Sequence, residues 1–365
     1  MVEELNSVPR INDRGSVTIA VDVMGGDFGA AVVVRGALRS LLSGNHRLVL
    51  VGNKPEIDAI LEGEGDFDSS RLEIEHAPEV IAMHDSPGKA MRGKIASSIR
   101  RCFELIQSGR ASATISTGNT GAVMAAGVIV LGTVPGIARP AIATLLPRLG
   151  DRRPLLLLDR GANVDCNASI LTEFALMGSH YARAILGLES PRVALLSNGS
   201  ESSKGNDTLR STAMALRQGN TVNFVGYIEG RDFAGDLADV VVCDGFVGNV
   251  VLKTMEGTAR FVTDSIKDQV SRSLRGKLGL ALVGPLLKKL FREKMDPAAY
   301  GGAPLLGLRG VGIVCHGSSN ERAIANAIRV AEQIVVGNVV EKISSALGGL
   351  NGNGIGSDEI VRREV

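Results

Sequence analysis

One repeated unit limits what this chain can fold into: a short apolar run, a loop rich in glycine and polar residues, then a helical stretch. The apolar runs lie at residues 17–23, 47–51, 71–77, 112–116, 141–147, 154–159, 192–197, 221–228, 239–244 and 310–316. Most are continuous in Val, Ile and Leu instead of alternating with polar residues, as strands covered on both faces require. The stretches between them carry helical spacing. Across 88–109, Met91, Ile95, Ile99, Cys102 and Ile106 fall on one face of a single expected helix. Residues 169–187 and 319–347 also read as helices. This alternation predicts an α/β fold, a three-layer, doubly wound and mostly parallel sheet.

Composition agrees. Nine Phe, three Tyr and no Trp suit close-packed βαβ layers better than an aromatic nucleic-acid platform. A net charge of +1 gives the chain no general pull toward nucleic acid, and none is expected as a partner. Cys102, Cys166, Cys243 and Cys315 are far apart in apolar segments, and the five histidines form no ligand pair. We therefore expect reduced thiols and no metal. The polar first fifteen residues lack a signal-peptide core, and no uncharged apolar run reaches the roughly 18 residues of a spanning helix. A cytoplasmic protein is expected, with residues 1–15 and 347–365 as disordered ends of one domain at 16–346.

Six runs end in unusual loops: VDVMGGDFG (21–29), ISTGNTG (115–121), LLDRGANVDCN (157–167), LLSNGSESSKGND (195–207), VVCDGFVGN (241–249) and IVCHGSSN (313–320). In open α/β sheets ligands bind beyond the carboxyl ends of the strands. Glycines let backbone amides approach a ligand, and Asn and Ser add neutral donors. Six such loops favour an anion-handling site. Gly118, Asn119, Thr120 and Gly121 open a helix N-terminus, where free amides and the helix dipole suit phosphate; Asn119 as a plain N-cap is the alternative. No Walker-type loop, no G-x-G-x-x-G and no nucleophile elbow is present. The residues thus point to an anion without a covalent nucleophile and without a cofactor.

At these loops the chain closely resembles the bacterial acyl-acyl carrier protein:phosphate acyltransferases. The likeness runs from about residue 17 to 331 and rests on AVDVMGGDFGA, STGNTGAVMAAG, PGIARPAIATLLP, GANVDCN, SKGND, DVVVCDGFVGNVVLKTMEG, YGGAPLLGL and HGSSNERAIANAI. It departs at Arg160, where the family carries a small or apolar residue. The resemblance implies a fold like that of the isocitrate and isopropylmalate dehydrogenases. It also implies acyl transfer from acyl carrier protein to inorganic phosphate, giving acyl phosphate for phospholipid synthesis, in a homodimer. With it, Lys204 becomes a candidate catalytic, phosphate-binding cation, and Gly205 and Asn206 beside it become candidate phosphate-binding residues. Asp159 and Asp244 either orient Lys204 or cap turns. Asn163 and Asn249 either hold the oxyanion or make Asx-turns. His316 either assists proton transfer or is satisfied by backbone, while Cys166, Cys243 and Cys315 read as core residues. A dehydrogenase-like enzyme and a non-catalytic scaffold for acyl carrier protein are the other classes to separate from this one.

One insertion stands out, a helical hairpin expected at about 258–298. Residues 271–294 carry seven Lys or Arg against one Glu around the apolar LGLALVG. Arg275, Lys277, Lys288, Lys289 and Arg292, with Leu280 and Leu282 at the tip, suit reversible contact with an anionic membrane. Docking of acidic acyl carrier protein ranks second. The expected location is therefore cytoplasmic and peripheral to the inner membrane face, beside a membrane glycerol-phosphate acyltransferase that would consume the product.

Overall fold

The computed structural model describes residues 16–150, 153–273 and 301–352, with isolated positions between 279 and 286. Strands β1 (Thr18–Asp22), β2 (Arg47–Gly52), β3 (Leu72–His76), β4 (Ala113–Ser116), β5 (Ala141–Ile142), β11 (Ala303–Leu306) and β12 (Val311–Val314) form a first sheet, ordered β3-β2-β1-β4-β12-β11-β5. Strands β6 (Thr144–Leu146), β7 (Leu155–Leu158), β8 (Arg192–Leu196), β9 (Asn223–Ile228) and β10 (Val240–Val242) form a second, ordered β6-β7-β10-β8-β9. Pairing is parallel except where β11 meets β12 and β5, and where β6 meets β7. The α/β class is as expected, but the one doubly wound sheet is in fact two. The run at 141–147 is the reason: it breaks at Ala143, so Ile142 stays in the first sheet and Thr144 enters the second.

The continuous apolar strands explain themselves. Ile19 and Val21 of β1 face one core while Ala20 faces another, and Leu156 and Leu158 of β7 are separated in the same way from Leu155 and Leu157. Period-two geometry makes an unbroken apolar run two buried faces. Helices α1 (Gly29–Leu41), α2 (Lys54–Glu62), α6 (Ala168–Leu186), α7 (Asp207–Gly219), α9 (Glu321–Val336) and α10 (Val339–Gly352) pack on one side. On the other lie α3 (Pro87–Gly93), α4 (Ser98–Gln107) and α5 (Thr120–Ala126), with α8 (Gly245–Ser271) on the second sheet. Buried Phe174, Met177 and Tyr181 of α6 belong to a core cluster that runs from one sheet to the other.

Several boundaries differ from expectation. The helix read over 88–109 is two, α3 and α4, and Ile95 between them is 64% exposed. The stretch 319–347 also breaks, at Gly337 and Asn338, where α9 and α10 meet at a 46° bend. Asn338 has φ +49°, which ends α-helical propagation. The C-terminal tail was expected from 347, yet α10 continues to Gly352 and Leu347 is buried. The hairpin was expected from 258, but α8 passes through that point unbroken. Arg275, Lys277, Leu280, Leu282, Lys288, Lys289 and Arg292 lie outside the described residues, as do 1–15. Among the described residues no single helix is long and apolar enough to cross a membrane.

Candidate active site

The carboxyl ends of β1, β4 and β12 lie side by side, and their three loops are pressed together. Gly25 approaches the β4 loop so closely that an added Cβ would sit 2.5 Å from Gly118 N. Asp27 N–H donates to Gly317 O at 2.8 Å, tying the first loop to the third. Below them the buried Asp22 carboxylate accepts from Ser116 Oγ at 2.5 Å and from Met24 N–H at 3.2 Å. Burial pushes the Asp22 carboxyl above its ordinary value, against the hydrogen bonds from Ser116, Ser98 and Met24.

The expected anion residues of the β4 loop divide by role. Gly118 N–H donates to Ser116 Oγ at 3.0 Å, inside the loop. Asn119 is the N-cap of α5: its Oδ1 accepts from Ala122 N–H at 3.1 Å, and its Nδ2 donates to Met83 O at 2.9 Å and Asp85 O at 3.1 Å. Its side chain therefore holds the 82–85 loop. A Cβ on Gly121 would meet Pro87 Cγ at 2.7 Å, so this glycine makes room for α3. The N–H groups of Thr120 and Gly121, in the first turn of α5, have no acceptor among the described residues.

His316 follows β12 and is exposed. Ser318 N–H donates to its Nδ1 at 3.2 Å, and Ser318 Oγ lies 2.7 Å from the same nitrogen. That arrangement assigns the proton of the neutral ring to Nε2.

The second sheet contributes another interlocked pair of loops. Asp159 is fully buried and accepts from Ile142 N–H (2.9 Å), Ala162 N–H (3.2 Å), Asn163 N–H (2.7 Å) and Asn163 Nδ2 (3.0 Å). Because Ile142 belongs to β5, this carboxylate stitches the second sheet to the edge of the first. Burial raises its pKa, opposed by those four donors. Asn163 is 5% exposed, and its Nδ2 also donates to Pro140 O at 2.8 Å. Both its amide hydrogens are thus committed to structure. Gly245 N–H donates to Asn163 O at 2.7 Å, and a Cβ on Gly248 would collide with Asp159 O. Asn249, exposed beside Gly161, makes no side-chain hydrogen bond among the described residues.

Asp244 is the N-cap of α8, accepting from Val247 N–H at 2.8 Å. Asn206 caps α7 through Leu209 N–H at 2.9 Å, and Gly205, at φ +82°, donates its N–H to Asn198 Oδ1. Lys204 is exposed and has no ion pair among the described residues. No described hydrogen bond or ion pair joins its loop, which follows β8, to the loops of the first sheet. Much of the Asn and Asp content of these loops is capping chemistry. Asn119, Asn167, Asn206, Asp244 and Asn320 each accept from the backbone three residues on.

Sequence reasoning passed over one cation. Arg160 N–H donates to Ile142 O at 3.1 Å, which anchors its backbone at the joint between the sheets. Its guanidinium interacts electrostatically with Glu256 of α8 and with Asp159. Burial draws its pKa below the usual guanidinium value, although an arginine stays charged. Among the described residues it has neither an ion pair nor a side-chain hydrogen bond. The available signal was a positive charge two residues after the all-leucine run of β7. Burial pushes the thiols of Cys166 and Cys315 up to about 12 and Cys243 well above its ordinary value, so all three are protonated; Cys243 and Cys315 are core residues, and Cys166 is half-buried against the core. Among the described residues no three His, Cys, Asp or Glu gather as a metal site.

Comparison with known proteins fits this geometry. The model of the family described as "fatty acid synthesis protein" matches residues 17–342. The chain belongs to that family. It is 45% identical over 354 residues to a protein of Syntrophotalea carbinolica named phosphate acyltransferase, covering 97% of this chain and 99% of the relative. Relatives of the same name from Trichlorobacter lovleyi and Geobacter sulfurreducens are also 45% identical, each covering 90% of this chain and 94% of the relative. Among solved structures, a phosphotransacetylase from Streptococcus pyogenes superposes with a TM-score of 0.61 at 17% identity, covering 88% of this chain and 94% of that one. The EutD phosphotransacetylase from Staphylococcus aureus does so at 0.56 and 15%, with the same coverage. At such identities the likeness concerns the fold, and the family is what ties this chain to fatty acid synthesis.

Proposed function

We propose that this chain is a phosphate acyltransferase that moves a fatty acyl group from an acyl carrier protein thioester to inorganic phosphate. The observation that carries the reading is the junction itself. Among the described residues, first-turn amides without acceptors at Thr120 and Gly121, exposed His316 and an Arg160 guanidinium without an ion pair follow strand ends in a chain 45% identical to named phosphate acyltransferases. Phosphate is largely dianionic near neutrality and needs no activated nucleophile. A phosphate oxygen attacks the thioester carbonyl, the C–O bond forms, and the C–S bond breaks to release a thiolate. The parent thiol pKa of about 8.5 makes that thiolate an adequate leaving group. The proton given up by phosphate ends on the departing sulfur, and we assign its delivery to His316 Nε2–H. The site supplies position and charge: Arg160 and the two amides hold the dianion, and Asn249 faces the developing oxyanion. Lys204, on the loop after β8, is a second candidate cation.

The acyl phosphate product is a lipid precursor, which favours contact with a membrane surface and hand-over to a membrane acyltransferase. Phe261, Val262 and Ile266 on the far half of α8 are exposed at 72%, 46% and 47%, and they lead into the basic 271–294 segment. Apolar residues feeding a basic stretch support that reading over a purely solvated hairpin. We further propose a homodimer. The deciding experiment is steady-state release of free acyl carrier protein on mixing its acyl thioester with inorganic phosphate. Turnover that saturates in both supports the assignment. Thioester cleavage independent of phosphate, or none at all, overturns it.

A further inference from the structure

A cavity of about 520 Å³ lies between the last turn of α1 and the outer face of α9, at the opposite end of α1 from the glycine loops. Its wall is strongly basic. Arg39, Arg322 and Arg329 line it, against the single carboxylate of Glu332. That carboxylate is already engaged: His46 Nδ1 lies 3.2 Å from Glu332 Oε2, and His46 Nε2 lies 2.8 Å from Ser40 Oγ. The His46 side chain is only 2% exposed, so the floor is a built, buried polar chain. Arg39 and Arg329 have no ion pair among the described residues.

We propose that this cavity is a second anion site, separate from the glycine loops, for a small molecule carrying two or more adjacent phosphoryl groups. Guanidinium forks match phosphoryl oxygens, and Arg39 and Arg329, neither in an ion pair among the described residues, offer one fork to each of two phosphoryl groups. The volume falls in the range that encloses a whole small ligand, and a concave wall suits such a ligand better than a protein surface. The position gives the site a consequence. Helix α1 begins where the 24–28 loop ends, and α9 begins where the 316–320 loop ends. An occupant bridging these helices therefore grips the two elements that carry two of the three interlocked loops.

The test is calorimetric titration of the full chain with pyrophosphate and, separately, with adenosine 5′-diphosphate. Wild type should bind, and the double variant Arg39→Ala/Arg329→Ala should lose at least tenfold in affinity while its thermal midpoint is unchanged. Arg160→Met, a change in neither of these helices, should bind as wild type does, so the result does not depend on the acyl-transfer reading. Equal affinity for both probes assigns recognition to the phosphoryl pair alone. Tighter binding of the nucleotide means that its remaining part fills the cavity. Absence of binding to wild type at millimolar probe, or equal binding by the double variant, overturns the proposal. So does a double variant whose only change is a raised KM for acyl carrier protein, since that would make the face a docking surface.

Discussion

Gly25→Ala tests the interlocked loops most directly. The added methyl would sit 2.5 Å from Gly118 N and 2.7 Å from Gly118 Cα, both backbone atoms that no side-chain rotation can move. Ordinary contact starts near 3.4 Å, so the 24–27 and 117–121 loops must part by about 1 Å. Overpacking of this kind costs about 1–3 kcal/mol of stability, small enough for the protein to stay folded. For catalysis the same displacement is severe, because misplacing a bound group by about 1 Å costs on the order of 100-fold in rate. We therefore expect kcat/KM for phosphate to fall about 100-fold with a modest drop in Tm. Gly65→Ala is the control, since nothing lies within 4 Å of its added Cβ, and it should match wild type. The assay is initial-rate acyl transfer across a phosphate series, with circular dichroism to verify folding. A folded Gly25→Ala protein within threefold of wild type would refute the placing of the anion at these loops.

Arg160→Met should raise the phosphate KM about 10- to 100-fold, the worth of one charged hydrogen bond at about 1.5–3 kcal/mol; Lys204→Ala should change it by less than about threefold, and the reverse order would move the anion to the β8 loop. Asp159→Asn should cost about 2–6 kcal/mol in urea denaturation. Either amide orientation turns its NH₂ toward two of the four donors, at about 1–3 kcal/mol for each left unpaired, and a loss below about 1 kcal/mol would deny Asp159 its stitching role. Burial holds the His46 pKa below 6.5, so the stability it contributes is complete above pH 6.5 and declines as pH falls through the folded value. Wild type should thus exceed His46→Gln by more at pH 7.5 than at pH 5.5, and an advantage that grows on acidification would contradict this.

Much of this protein was legible in its sequence because the governing physics is local. Unbroken apolar runs such as LLLL at β7 announce two covered faces, since side chains alternate along any strand whatever surrounds it. The glycine loops at strand ends announced the site for the same reason: only a close backbone approach calls for so many residues without a Cβ. Capping by Asn119 and Asp244 was an open alternative, as each bonds to an amide three residues away.

The tertiary structure decided what depends on distant neighbours. The strand Ala303–Leu306 has no sequence signal strong enough to stand out, and it exists because β12 and β5 flank it with backbone partners. The run at 141–147 reads as one strand, and only its pairing partners, Leu305 for Ile142 and Leu157 for Thr144, divide it between two sheets. Asn163 and Arg160 are the sharpest cases. Three residues apart in one loop, they invite opposite readings from sequence: the amide as oxyanion donor and the charge as an anomaly. Burial reverses them. Both hydrogens of the Asn163 amide are used up on Pro140 and Asp159, whereas the Arg160 guanidinium is left charged and, among the described residues, without a hydrogen-bonding partner between two sheets. Whether a polar group is free to act depends on what the fold brings against it, and that comes from residues tens to hundreds of positions away.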